Sequence, residues 1–155
     1  MRLYRYSTFQ WARTLDGTGA KLYGGRYNPV GVAAVYACFN PSLPYLECLA
    51  ANLKGDIWPL FYQTLFQFDD DGLDIEEFKA ESLPMEWNAD RYSGTVQNWC
   101  AQKLTNRDVI ILPSRVNPLD RTVLLNPLRS NLEDRIEIID VSKMVFDKRL
   151  VDLLT

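Results

Sequence analysis

Six short runs with the composition of strands, and few helical patterns between them, leave this chain little choice of architecture. They are RLYRYS (2–7), VAAVYAC (32–38), PLFYQTLFQF (59–68), DVIILP (108–113), RTVLLN (121–126) and RIEIID (135–140). β-Branched, aromatic and aliphatic residues dominate them, with turn-type residues at many of their ends. Helical spacing is found over 39–55, where Leu46, Leu49, Ala50 and Leu53 recur. Ser42 is the expected N-cap of that helix, which puts Pro44 at its second position, and Gly55 stands where a C-cap belongs. A second helix is expected over about 92–104 and a short third at the end of the chain. Strands that outnumber irregularly placed helices indicate an α+β fold, with a mixed or antiparallel sheet core and short helices. The 155 residues suffice for a single domain, 1–155, and nothing calls for two.

Composition narrows the functional classes. The net charge of −3 argues against direct nucleic-acid binding, which usually needs a basic face. The opening MRLYRYSTFQW has no apolar leader core, and the charge-free stretch Tyr27–Leu46 is broken by Pro, Asn and Gly. Neither a membrane span nor export is expected, and the location implied is cytoplasmic. Cys38, Cys48 and Cys100 lack metal-type spacing and read as buried thiols in a reducing compartment. The chain contains no histidine. That removes Ser-His-Asp and Cys-His nucleophile systems, the HExxH zinc site and the zinc deaminase signature, and no metal site is expected. The acidic run DDDGLDIEE (69–77) lacks calcium-loop spacing and reads as a solvated loop.

Residues 16–31, DGTGAKLYGGRYNPVG, hold five of the eight glycines and read as a long irregular loop. They match neither a Walker loop nor a dinucleotide fingerprint. Gly24 and Gly25 let backbone amides approach a ligand, and Arg26 offers a planar fork suited to phosphate or carboxylate. The competing reading is a surface loop with an internal Arg26 salt bridge. Glu47 is the only charged residue between Arg26 and Lys54. A carboxylate in so apolar a stretch needs a partner, and Arg26 is the obvious one. Tyr36 on the second strand reads by itself as a core aromatic. Ser114, at the Pro-marked turn of ILPSRVNP, reads by itself as ordinary turn chemistry.

As a set, in this order and spacing, these pieces resemble the RES domain family, named for its Arg, Glu and Ser. The similarity runs from LYRYS through GGRYNP, VYAC and LECLA to ILPSRVNPLDRTVLLNP. The family often has tryptophan after the loop arginine, where this chain has Tyr27. The resemblance implies an ADP-ribosyltransferase-like fold and the toxin of a type II toxin–antitoxin pair, neutralised by an Xre-type helix-turn-helix antitoxin. It further implies consumption of NAD+ as substrate, with no separate cofactor, by phosphorolysis or hydrolysis of the nicotinamide–ribose bond. The alternative is mono-ADP-ribosylation of a protein. The site it implies comprises Arg26, Tyr36, Glu47 and Ser114, with Arg5, Gly24 and Gly25 adding NAD+ contacts. Glu47 is expected to stabilise the ribosyl cation and to orient water or inorganic phosphate. Arg26 is expected to grip the pyrophosphate and Tyr36 to stack on nicotinamide or ribose. Ser114 is expected to bond a phosphate or ribose, and Arg5 to make a second phosphate contact. A non-enzymatic interaction module, with Arg26 and Glu47 as a structural bridge, is the rival from another class.

Overall fold

The computed structural model describes residues 1–51, 60–129 and 131–152. The strands are β1 (Arg2–Thr8), β2 (Val35–Cys38), β3 (Phe61–Phe68), β4 (Ile75–Glu77), β5 (Val109–Pro113), β6 (Arg121–Leu125) and β7 (Ile136–Lys143). The helices are α1 (Thr18–Tyr23), α2 (Leu43–Ala50), α3 (Gly94–Thr105) and α4 (Lys148–Asp152). Among the described residues the strands form one mixed sheet in the order β4-β5-β6-β2-β1-β3-β7, with β4 parallel to β5 and the other pairs antiparallel.

Strand alternation decides how that sheet is buried. Val109, Ile111, Val123 and Leu125 face one core, which they share with Leu3, Val35, Phe66 and Phe68. Ile110, Leu112 and Leu124 face a second core, closed by Val96, Cys100 and Leu104 of α3. Those three recur every four residues, so one face of α3 seals the sheet. Both faces of β5 are therefore covered, which is why its sequence is continuously apolar.

Three local expectations need correction. Within the glycine-rich stretch a six-residue helix, α1, forms between Gly17 and Gly24, both at positive φ, and Asp16 Oδ1 accepts the Thr18 N–H at 2.9 Å. The glycines thus bound a helix rather than forbid one. The run 69–77 is loop only at first, because Ile75 packs on the core and starts β4. Its acidic neighbours find cations, Glu76 with Arg107 and Glu77 with Arg121. In α2 the position of the N-cap at Ser42 holds, but Asn40 Oδ1 takes the Ser42 N–H at 2.9 Å. The buried face of α2 is Leu43, Pro44 and Cys48, whereas Leu46 is exposed. The helix packs on β1, and that rotation carries Glu47 to the side rather than outward. Leu53 and Gly55 lie outside the described residues.

The pairing of β1 with β2 is confined to a single position, Tyr4 opposite Cys38. By contrast β1 pairs with β3 along its whole length, Arg2 to Thr8. Beyond that position the two strands do not pair, and a cleft lined by Arg5, Ser7, Thr8, Tyr36 and Ala37 lies there.

Candidate active site

The cleft has a volume of about 970 Å³, in the upper part of the range of small-molecule sites. Arg5, Gly24, Gly25, Arg26, Tyr36 and Glu47 all line it. Residues from four separate stretches of chain are thereby brought to one hollow.

Arg26 and Glu47 share this cleft without pairing. Among the described residues the ion pairs do not join them. Instead Arg26 Nη1 donates to the Ala89 carbonyl at 2.8 Å, and its guanidinium lies 5.2 Å from the centre of the Tyr92 ring. Glu47 accepts a long hydrogen bond from Ser114 Oγ, at 3.4 Å. The expected Arg26–Glu47 bridge is thus absent among the described residues, and both charges keep bonding capacity toward the hollow. Burial holds the Glu47 carboxyl above its ordinary range, opposed by the Ser114 bond and by the fields of Arg26 and Arg115. Ser114 is fully buried and also accepts the Asn117 N–H at 3.3 Å. Its hydroxyl is turned to Glu47, so it orients that carboxylate.

The glycine loop is built around Asn28, whose importance composition does not reveal. Asn28 is 0% exposed. Its Nδ2 donates to the carbonyls of Ala20 and Val32, both at 2.9 Å, while Oδ1 accepts the Tyr36 hydroxyl at 2.7 Å. The Tyr36 oxygen in turn accepts the Tyr27 N–H at 3.0 Å. Tyr36 is therefore a tether for the loop as well as a wall of the cleft. Tyr27, which follows the loop arginine, is buried, stacks near Tyr36 and donates its hydroxyl to Pro113, beside Ser114. Asn28→Asp supplies no donor and buries a carboxylate among carbonyls. That variant is expected to lose about 3 kcal/mol or more of stability, read by urea denaturation. A midpoint equal to wild type would show that the loop does not depend on this hub.

Gly24 and Gly25 serve this construction. Gly24 has φ +69°, and a Cβ on Gly25 would come within 2.6 Å of the Tyr36 hydroxyl. Their amides are engaged internally, Gly24 N–H with Ala20 O at 2.8 Å and Gly25 N–H with Asn28 O at 2.9 Å. The Gly25 carbonyl accepts from Gln97 of α3 at 2.7 Å. What these glycines give the site is room and backbone shape rather than free donors, contrary to the expectation of amides offered to a ligand.

Arg5 projects from β1 with Nη1 bonded to Thr14 O at 3.0 Å. Its Nε and the Ser7 hydroxyl, two residues along the strand, are buried without a hydrogen-bond partner. Burial lowers the Arg5 pKa to about 10, with Asp16 acting the other way. Orphaned buried donors beside a cleft are what a bound acceptor satisfies. Arg115, Asp90 and Tyr92 also line the hollow and had no local signal in the sequence. The three thiols are buried and free; burial pushes Cys38, Cys48 and Cys100 each up to about 12, which keeps them inert. Among the described residues no helix is long and apolar enough to cross a membrane.

The sequence model described as "RES domain" matches residues 2–147. The chain is 30% identical to "Toxin Res" of Photorhabdus laumondii, over 97% of this chain and 97% of that protein. It is 29% identical to "Toxin Res" of Yersinia enterocolitica, covering 97% and 99% respectively. The "Prs ADP-ribosylating toxin" of a Sphingobium species is 30% identical, over 90% of this chain and 88% of the other. Among solved structures, a chain of the M. tuberculosis MbcT–MbcA toxin–antitoxin complex superposes with a TM-score of 0.71 at 17% identity, covering 99% of this chain and 87% of that one. That likeness establishes a common fold. With the profile match extending over nearly the whole chain, the protein belongs to the RES domain family.

Proposed function

We propose that this protein is the toxin of a toxin–antitoxin pair and acts by cleaving the nicotinamide–ribose bond of NAD+. The observation that carries the reading is Glu47 and Arg26 lining one cleft while leaving each other unpaired. In the reaction the C1′–N bond breaks and its electron pair passes to the pyridinium nitrogen, so nicotinamide leaves neutral. No strong general acid is needed, which suits a chain without histidine. Positive charge develops on the ribose, and the Glu47 carboxylate, oriented by Ser114, stabilises it. The same carboxylate orients the acceptor, either water, which releases a proton to solvent as its oxygen forms the new C1′–O bond, or inorganic phosphate, whose unprotonated oxygen forms that bond directly. Arg26 holds the diphosphate, and the orphaned donors of Arg5 and Ser7 suit a second phosphate or ribose contact. Tyr36 supplies a ring edge or face against nicotinamide or ribose while tethering the loop.

A second reading is transfer of ADP-ribose to a protein, favoured by the name of the Sphingobium relative. The same cleft serves it with a different acceptor. The partner in either case is an antitoxin, proposed to be of the Xre helix-turn-helix type; a toxin–antitoxin complex among the fold's solved structures supports a protein partner of this kind. The deciding experiment incubates NAD+ with the protein, with and without inorganic phosphate, and identifies products by mass. Nicotinamide with ADP-ribose indicates hydrolysis, and nicotinamide with the 1-phosphate ester of ADP-ribose indicates phosphorolysis. A protein heavier by one ADP-ribose indicates transfer. No nicotinamide release under any condition would overturn NAD+ cleavage.

A further inference from the structure

Arg115 directly follows the serine that touches Glu47, and its guanidinium lines the cleft. Its Nε donates to Asn88 O at 2.9 Å and its Nη2 pairs with Asp90. Arg26, which lines the same hollow, grips the next carbonyl of that segment, Ala89 O, and lies over Tyr92. Two arginines that face the cleft thus both hold the stretch 88–92, which lies between a 3-10 turn (Met85–Asn88) and α3. Both also contribute positive field at Glu47. The bond between Arg115 and Asp90 is of an unusual kind for a structural clasp, because the Asp90 side chain is 97% exposed. An ion pair in water contributes little, and a diphosphate presents the same guanidinium with more charge and better fork geometry.

We infer that Arg115 is a second diphosphate-binding residue and that Asp90 is its resident counter-ion, exchanged for the ligand when a nucleoside diphosphate enters. The inference rests on the NAD+ reading and names the part of the cleft that receives the diphosphate. Asp90 competes for Arg115 in the empty site, so it weakens binding. Arg115 strengthens it. If the pair were only a strap that keeps 88–92 and hence Arg26 in place, losing either partner would weaken binding alike.

The sign of two variants therefore decides. Equilibrium binding of ADP, which has the diphosphate but no scissile nicotinamide bond, is measured on the full chain for wild type, Asp90→Ala and Arg115→Ala. Thermal melts establish that each is folded, and Arg115→Lys serves in place of the alanine variant should that one not fold. Asp90→Ala is expected to tighten ADP about threefold to fivefold, and Arg115→Ala to weaken it about tenfold, with the lysine variant also weaker than wild type. Weakening by both changes, or no effect of either, overturns the inference. Nicotinamide release by the wild-type protein is read in parallel. Its absence sinks NAD+ cleavage alone if the ADP shifts have opposite signs, whereas release with same-sign shifts sinks the Arg115–Asp90 exchange alone.

Discussion

Glu47→Gln is expected to cut NAD+ cleavage by at least ~100-fold while leaving the protein folded and no less stable at neutral pH. The loss in rate follows from chemistry. Glutamine keeps the volume and one acceptor for Ser114 but carries no charge to meet a ribosyl cation. The stability result follows from burial. The Glu47 carboxyl is held above its ordinary range chiefly by desolvation, which outweighs the Ser114 bond and the Arg26 and Arg115 fields. A carboxyl whose folded value is raised binds its proton more tightly in the native state than in the unfolded chain. Below the ordinary Glu range both states are protonated and folding is not penalised. As pH rises through the raised native value, the buried group must ionise and stability is lost. The glutamine variant escapes that loss, so its melting temperature should match or exceed wild type at neutral pH, with the gap closing in acid. The wild-type rate should climb with pH over the same interval, with a midpoint above that of an ordinary glutamate. A variant that is less stable at neutral pH yet cleaves NAD+ at the wild-type rate would make Glu47 a structural residue, as the bridge hypothesis has it.

The opposition between rate and stability at Glu47 also explains which parts of this protein are legible in its sequence. Strands such as VIILP and RTVLL can be read because their neighbours along the chain already share the environment they will have when folded. Arg26 and Glu47 stand out because each breaks its local pattern, a fork among glycines and a lone charge in an apolar helix, whereas Ser114 reads locally as turn chemistry and is singled out only through the family resemblance. Asn28 breaks nothing. An Asn before Pro is ordinary turn chemistry, and the carbonyls of Ala20 and Val32 and the Tyr36 hydroxyl converge on it only after the strands pair. Arg115 is hidden for a similar reason, since its partners Asn88 and Asp90 lie more than twenty residues away on a turn with no periodicity of its own. The three-residue β4 is invisible within its acidic run because parallel pairing to β5, a property of the neighbour, creates it. The buried face of α2 shows the converse failure. Its leucine spacing is genuine, but α2 packs on β1 and buries Leu43, Pro44 and Cys48, so helix packing rather than local spacing decides which side points at the cleft.

Arg26→Lys is expected to raise KM for NAD+ about 10-fold to 100-fold while changing kcat far less, the opposite division from Glu47→Gln. The geometry gives the reason. One N–H of the Arg26 guanidinium is committed to Ala89 O and its carbon lies over the Tyr92 ring, which limits the directions open to the remaining donors. A planar fork held in that way meets two diphosphate oxygens at once. Lysine keeps the charge but offers a rotating ammonium that cannot satisfy the carbonyl and meet two ligand oxygens together. The interaction it loses is present equally in bound NAD+ and in the transition state, because the diphosphate does not change during cleavage. Such a loss weakens binding without raising the barrier of the bound complex. ADP, which shares the diphosphate and lacks nicotinamide, should lose affinity by a similar factor, whereas Glu47→Gln should leave ADP binding nearly unchanged. An Arg26→Lys protein with wild-type KM and wild-type ADP affinity would remove Arg26 from the diphosphate. Its guanidinium would then serve only to hold the 88–92 segment, and the glycine loop would owe its shape to Asn28 alone.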